Sequence, residues 1–261
     1  MRPFWKLSAA GFAATAITYG PARMGFGLFV PQFKQAFSIS TQTAGLISSL
    51  GFVGLLVGLL VSQSMTDRKG PRMPVLAGLL IASTGMAVVA VAPDPAILSL
   101  GVLLAVSSAG FAWTPFNNAV HRQVEDMWRP GAFSLVSTGT GLGIAAAGLA
   151  ALAMSLWGVS WRVSWSAFAI GGLLAAAVAW VALRGVAGSP GPGRPVQWRR
   201  LLTAAAIPLL GIGLCFGATS SIYITFAVDR IAGAGGVAGS RRTPPAAPCS
   251  SATASSGCSG S

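Results

Sequence analysis

Acid is scarce in this chain. Five aspartates and glutamates stand against seventeen lysines and arginines, and only 8% of the 261 residues are charged, where an ordinary soluble domain carries about a quarter. A water-soluble globular domain is therefore excluded. There is a single histidine, His121, with no second ligand near it in sequence, and the three cysteines show no CxxC spacing. No metal site, no cofactor and no disulfide framework is expected. Serine, histidine and acid form no hydrolytic constellation, and no GxxxxGK[ST] phosphate loop is present, so the chain is read as not an enzyme and not ATP-driven. Strict period-2 alternation is missing as well, which argues against a β-barrel.

Long uncharged runs take up most of the chain instead, and the mean hydropathy is +0.70. Seven apolar segments follow one another: Leu7–Val30, Thr43–Met65, Met73–Ala92, Ala96–Val120, Ala132–Trp157, Val163–Leu183 and Leu201–Val228. About 20 apolar residues span a bilayer. In lipid each segment must be helical, because a helix satisfies its own backbone hydrogen bonds. The expected fold is an all-α membrane protein: a six-helix bundle, a seventh transmembrane helix and a disordered tail, with the lipid bilayer as its partner. The basic, then apolar, N-terminus imitates a signal peptide, but its apolar stretch runs on to Val30, so it is read as a retained first helix.

A net charge of +12 is also what a nucleic-acid binder carries. Here the basic residues sit in short gaps between apolar runs, without a basic face of interleaved aromatics, so no nucleic acid is expected. They sort helix ends instead. Arg2, Lys6, Arg68, Lys69, Arg72, Arg122, Arg129, Arg184, Arg194, Arg199 and Arg200 fall on one side of the threading. Lys34, Arg162 and Arg230 fall on the other. The bias places the N-terminus in the cytoplasm and the chain in a cell inner membrane.

The domain reading is 1–187 for six transmembrane helices, 188–200 for a cytoplasmic Gly/Pro linker, 201–230 for the seventh helix and 231–261 for a disordered polar tail of in-frame or out-of-frame origin. Tyr19-Gly20 and Phe29 align with Phe216-Gly217 and Phe226 at a constant offset, a weak internal repeat the size of a six-helix half. Gly51, Gly54, Gly58, Gly139, Gly141, Gly143 and Gly148 are read as close-packing positions. Trp157, Trp161 and Trp165 are read as an interfacial aromatic belt.

One run of charge separates the second and third segments: Met65-Thr66-Asp67-Arg68-Lys69-Gly70-Pro71-Arg72. Gly70 permits a tight turn. Asp67 can accept hydrogen bonds from a neighbouring helix N-terminus, and Arg68 and Arg72 can hold the loop at an anionic surface. With Gln63 at its start, this loop resembles motif A of the major facilitator superfamily, G-x-x-x-D-R-x-G-R-[KR]. Asp67, Arg68, Gly70 and Arg72 match, Gln63 replaces the first glycine, and Pro71 replaces an arginine. Thr18 to Pro31 (TYGPARMGFGLFVP) is similar to the YbfB/YjiJ-like branch. The resemblance implies secondary transport of a small solute by alternating access. It covers Lys6 to about Gly236, which is one six-helix half and the first helix of another, and so implies a truncated product of doubtful activity alone. It also makes Asp67, Arg68, Gly70 and Arg72 a conformational, gating loop.

Arg23 is the one charge well inside the first six segments, between Pro21 and the glycines Gly25 and Gly27. Such a charge is costly and ordinarily faces a cavity or partner. Pro21 should kink the helix near Tyr19-Gly20. The family resemblance turns the first, fourth and seventh helices toward a central cavity, so Tyr19, Arg23, Ser107, Ser108, Ser220, Ser221 and Tyr223 are the substrate-binding candidates, with Arg23 on an anionic group. The competing reading is that Arg23 snorkels to the outer interface, roughly 12 Å away at Pro31. Trp113, Pro115, Asn117 and Asn118 form either a gate or a kinked helix contact. Two other functions stand beside transport: a non-transporting remnant, and a seven-helix receptor or sensor. The last lacks the lysine a retinal protein needs in Leu201–Val228, and the inward N-terminus opposes receptor topology.

Overall fold

The computed structural model describes residues 2–184 and, between 208 and 231, a set of positions that are all helical. Ser221, the linker 188–200 and the tail from 232 onward lie outside the described residues.

Between residues 2 and 184 the α-helices are α1 (Arg2–Tyr19), α2 (Pro21–Phe37), α3 (Thr41–Lys69), α4 (Arg72–Val91), α5 (Pro95–Ser107), α6 (Trp113–Gln123), α7 (Arg129–Trp157) and α8 (Trp161–Ala182), with a 3-10 turn at Ser108–Phe111. Among the described residues five stretches are long and apolar enough to cross a bilayer: Thr41–Lys69, Arg72–Val91, Pro95–His121, Arg129–Trp157 and Trp161–Ala182. The first apolar segment is not one continuous span. It is divided at Gly20, where ψ falls to −106°, and its second piece runs past Val30 and Pro31 to Phe37. Pro21 has no N–H to give the Ile17 carbonyl, so the helix breaks at this point. The fourth segment is also divided, at the 3-10 turn. There Gly110 lies flat on the backbone of α3 around Leu55, Gly58 and Leu59.

Local chemistry sets the helix ends. Ser40 caps α3 by accepting from the Thr43 amide at 3.1 Å, and Asp94 caps α5 through the Ala96 and Ile97 amides at 2.8 and 2.9 Å. Arg162 donates to the carbonyls of Ala90 and Ala92, each at 2.9 Å, placing a cation at the negative end of α4.

The helices pack α1 on α7 and α8, α4 on α5 and α8, and α3 on α5. Glycine makes these crossings close. A Cβ at Gly139 or Gly143 would run into the α1 backbone at Phe12 and Ala16, and one at Gly85 would meet Ala105. Gly141 and Gly148 have nothing beside them. At the α1–α7 crossing the Thr15 hydroxyl donates to the Val136 carbonyl at 2.7 Å. Two apolar cores result. One, around Phe29, Phe33, Met86 and Trp165, lies toward the α2–α3 connection. The other, around Leu7, Leu79, Phe116 and Ala176, lies toward the N-terminus. Ile17 touches both, so the break at Gly20 falls at their junction.

Trp165 corrects the aromatic-belt expectation. It is 0% exposed and sits among Phe29, Phe33 and Phe168, with centroids 6.0 to 6.2 Å away. Trp157, at 76% exposed, does stand outside, and Trp161 packs edge-on to Phe33.

Candidate functional site

The site begins with the broken helix. Arg23 lies one turn beyond the gap, and its guanidinium is turned back over the Tyr19 ring, 5.3 Å from the centroid, on the side away from Pro31. Phe52 of α3 lies on it at 5.8 Å. Two aromatic faces are worth about 0.5–2 kcal/mol each to a desolvated cation, and they leave its hydrogen-bonding edge free. The Arg23 Nε is buried and bonds to nothing. Arg23, Phe26, Ser48, Phe52, Val106 and Thr225 enclose a small space of about 10 Å³, room for about one water. The hydroxyls of Ser48 and Thr225 meet across it at 2.6 Å. Ser48, Phe52 and Thr225 also wall a larger groove of about 590 Å³ that continues along α3 past Gly45 and Ser49.

Tyr19 is at the site, joined edge-on to Trp113 of α6 at 5.9 Å. Ser107 and Ser108 are not among the residues around Arg23. Their hydroxyls donate to Leu104 and Ala105 of their own helix at 2.8 and 2.6 Å, and Ser107 faces Gly54 and Gly58 of α3. Tyr223 points away, 73% exposed, Ser220 is half-buried, and Ser221 lies outside the described residues. Among the described residues of the seventh segment, Thr225, two residues along from Tyr223, is buried at 3% exposed. Ser48, Phe52 and Thr225 were missed by sequence reasoning. The signal for Ser48 was its hydroxyl within an uncharged run.

Further out, the Lys34 ammonium at the end of α2 pairs with Asp229 at 3.1 Å and donates to Thr41 at 2.9 Å. With Ser48–Thr225 and the contact of Phe226 with Gly45, it fastens the seventh segment to α2 and α3 on this side.

At the other end, Gly70 closes α3 with φ of +77°, a left-handed value that favours glycine, and its amide donates to Thr66 at 3.0 Å. Asp67 does not meet a helix N-terminus among the described residues. It accepts from Gln63 of its own helix at 3.3 and 3.5 Å, the residue that stands in place of the motif's first glycine. Arg68 is exposed. Arg72 is not simply a surface charge: its guanidinium lies over Trp180 of α8 at 4.4 Å.

The family model described as Major Facilitator Superfamily matches residues 11–240. The chain belongs to that superfamily. Among curated proteins, monocarboxylate transporter 11 of Homo sapiens is 34% identical over 109 residues, 42% of this chain and 22% of that protein. Monocarboxylate transporter 13 of Rattus norvegicus is 27% identical over 139 residues, 53% of this chain and 32% of that one. Among solved structures, the peptide transporter POT in complex with sulfate superposes with a TM-score of 0.54 at 21% identity, over 85% of this chain and 46% of that one; a mutant of it gives 0.56 at 20%. At such identities the superposition shows the fold alone. The superfamily chain thus spans at most about a third of the curated relatives it matches and just under half of the solved transporter.

Proposed function

We propose that this protein is the substrate-holding first half of a secondary transporter for small organic anions, working by alternating access in a cell inner membrane with its N-terminus in the cytoplasm. Thr18 to Pro31 supports the YbfB/YjiJ-like branch as the sub-family. The activity belongs to an assembly with both halves, because the family binds solute between two six-helix units.

One observation carries this reading. Arg23 is held at a helix break between two apolar cores, backed by two aromatic rings, with a buried Nε that has no partner. A carboxylate at the guanidinium would be a charge-assisted partner, and the space of about 10 Å³ beside Arg23 admits one water to bridge the buried Nε. The names of the monocarboxylate transporters support a carboxylate as the anion. The contacts Lys34–Asp229 and Ser48–Thr225 are the latch of one side in this reading, and the loop Asp67, Arg68, Gly70 and Arg72 is the gating element of the opposite side.

The test is a solute panel in proteoliposomes holding the protein with both halves. Small monocarboxylates should be carried, and the amides of the same shape should not. Equal uptake of acid and amide would refute the reading, since an arginine left without its acceptor should discriminate strongly against the amide.

A further inference from the structure

Two cations share one indole at the end of the bundle where the chain begins. Arg72 lies 4.4 Å from the Trp180 ring centroid and Arg184, in the turn after α8, lies 5.8 Å from the same ring. Among the described residues neither has a carboxylate in ion-pair range, and the Arg72 Nε is buried without a partner. An anion beside the ring would balance two like charges that share it.

Beside them a groove of about 580 Å³ runs between α1 and α8, walled by Ala9, Ala177, Val178 and Val181 and edged by Trp5 and Lys6. The turn after α8 keeps near-helical bonding, with Arg184 donating to Val181. Ala177, Val181 and Arg184 therefore follow at i, i+4 and i+7 along one face. Val178, Trp180 and Val181 are exposed, as is Arg184, so this face of α8 is where a membrane protein meets lipid.

We propose that this is a binding site for one anionic phospholipid, its phosphate held by Arg72, Arg184 and Lys6 and an acyl chain laid in the groove. The site is independent of the transported solute. It ties the gating-loop residue Arg72 to the composition of the leaflet on that side. Each basic residue near an anionic surface is worth about fivefold in lipid preference.

The experiment uses the full chain in nanodiscs containing either brominated phosphatidylglycerol or brominated phosphatidylcholine at equal fraction. Quenching assigned to Trp180 is taken as the difference between the wild type and Trp180→Phe. Phosphatidylglycerol should quench Trp180 more strongly. Arg184→Gln should cut that preference by about fivefold, while Lys69→Gln, which removes an exposed charge at the same end, should leave it. Equal quenching by the two lipids overturns the site. So does an equal loss in Lys69→Gln, which would mean diffuse attraction to a basic surface. Abolition of the preference by excess soluble glycerol phosphate would mean a free-anion site, and would overturn the lipid as occupant. Because Arg184 lies in an exposed turn after the helix, its variant tests the site without disturbing the bundle.

Discussion

Replacing Gly143 with leucine tests the α1–α7 crossing against a control built into the same helix. A Cβ at Gly143 would overlap the Ala16 carbonyl oxygen and lie 2.7 and 2.8 Å from its carbonyl carbon and Cα. All three are backbone atoms, so no rotamer change relieves the contact and the helices must part. Overpacking of this kind costs about 1–3 kcal/mol. Parting them also weakens the Thr15–Val136 bond of 2.7 Å, worth about 0.6–1.7 kcal/mol in lipid. Leucine regains about 0.8–1 kcal/mol of helix propensity over glycine. The net expectation is a loss of about 1–4 kcal/mol, with a clear fall in Tm. Gly141→Leu, on the same helix with open space around it, keeps the propensity gain and should melt at or slightly above the wild type. The assay is thermal unfolding of both variants in one detergent, followed by far-UV circular dichroism. If Gly143→Leu and Gly141→Leu melt together, the helices do not cross in this register and the packing argument fails.

Three further outcomes follow from the same geometry. Trp165→Ala should destabilise by about 3–5 kcal/mol, as truncation of a fully buried aromatic does, whereas Trp157→Ala should be nearly silent; comparable melting shifts would return Trp165 to the interface. Gly70→Ala should cost about 1 kcal/mol by forcing a side chain into φ of +77°, and an unchanged melting curve would place the turn elsewhere. Lys34→Ala and Asp229→Asn should show a coupling of about 0.5–1 kcal/mol in a double-mutant cycle. Each single variant should also raise labelling of a cysteine at Ser48 by an impermeant thiol reagent from that side. Additive energies with unchanged labelling would dissolve the latch.

The architecture was largely legible because lipid leaves few alternatives. Uncharged runs bounded by charge had to be helices, and four of them, α3, α4, α7 and α8, start and stop within a few residues of Lys69, Arg72, Arg129 and Ala182. Pro21 announced its own break. The break at Ser108–Phe111 was not announced, since it depends on Gly110 meeting α3, a tertiary fact. Rotation about each helix axis was the main thing hidden. Tyr223 and Thr225 differ by two residues, about 200° around a helix, and nothing local says which looks inward. Ser107 and Ser108 lay at a suitable depth, but the glycine face of α3 took the side they occupy. Trp165 near a loop had the pattern of an interface residue; its burial was decided by Phe29 and Phe33, more than a hundred residues earlier. Arg23 was legible because a mid-span charge stands out, whereas the rings that hold it came from two different helices.

The account rests on Arg23 as the anion-binding group, and uptake of a carried monocarboxylate by the protein with both halves tests this most directly. With expression and melting temperature matched to the wild type, Arg23→Ala should abolish uptake, and Arg23→Lys should keep the charge yet lose most of the rate, because an ammonium cannot replace a bidentate fork. Undiminished uptake in Arg23→Ala would contradict the account.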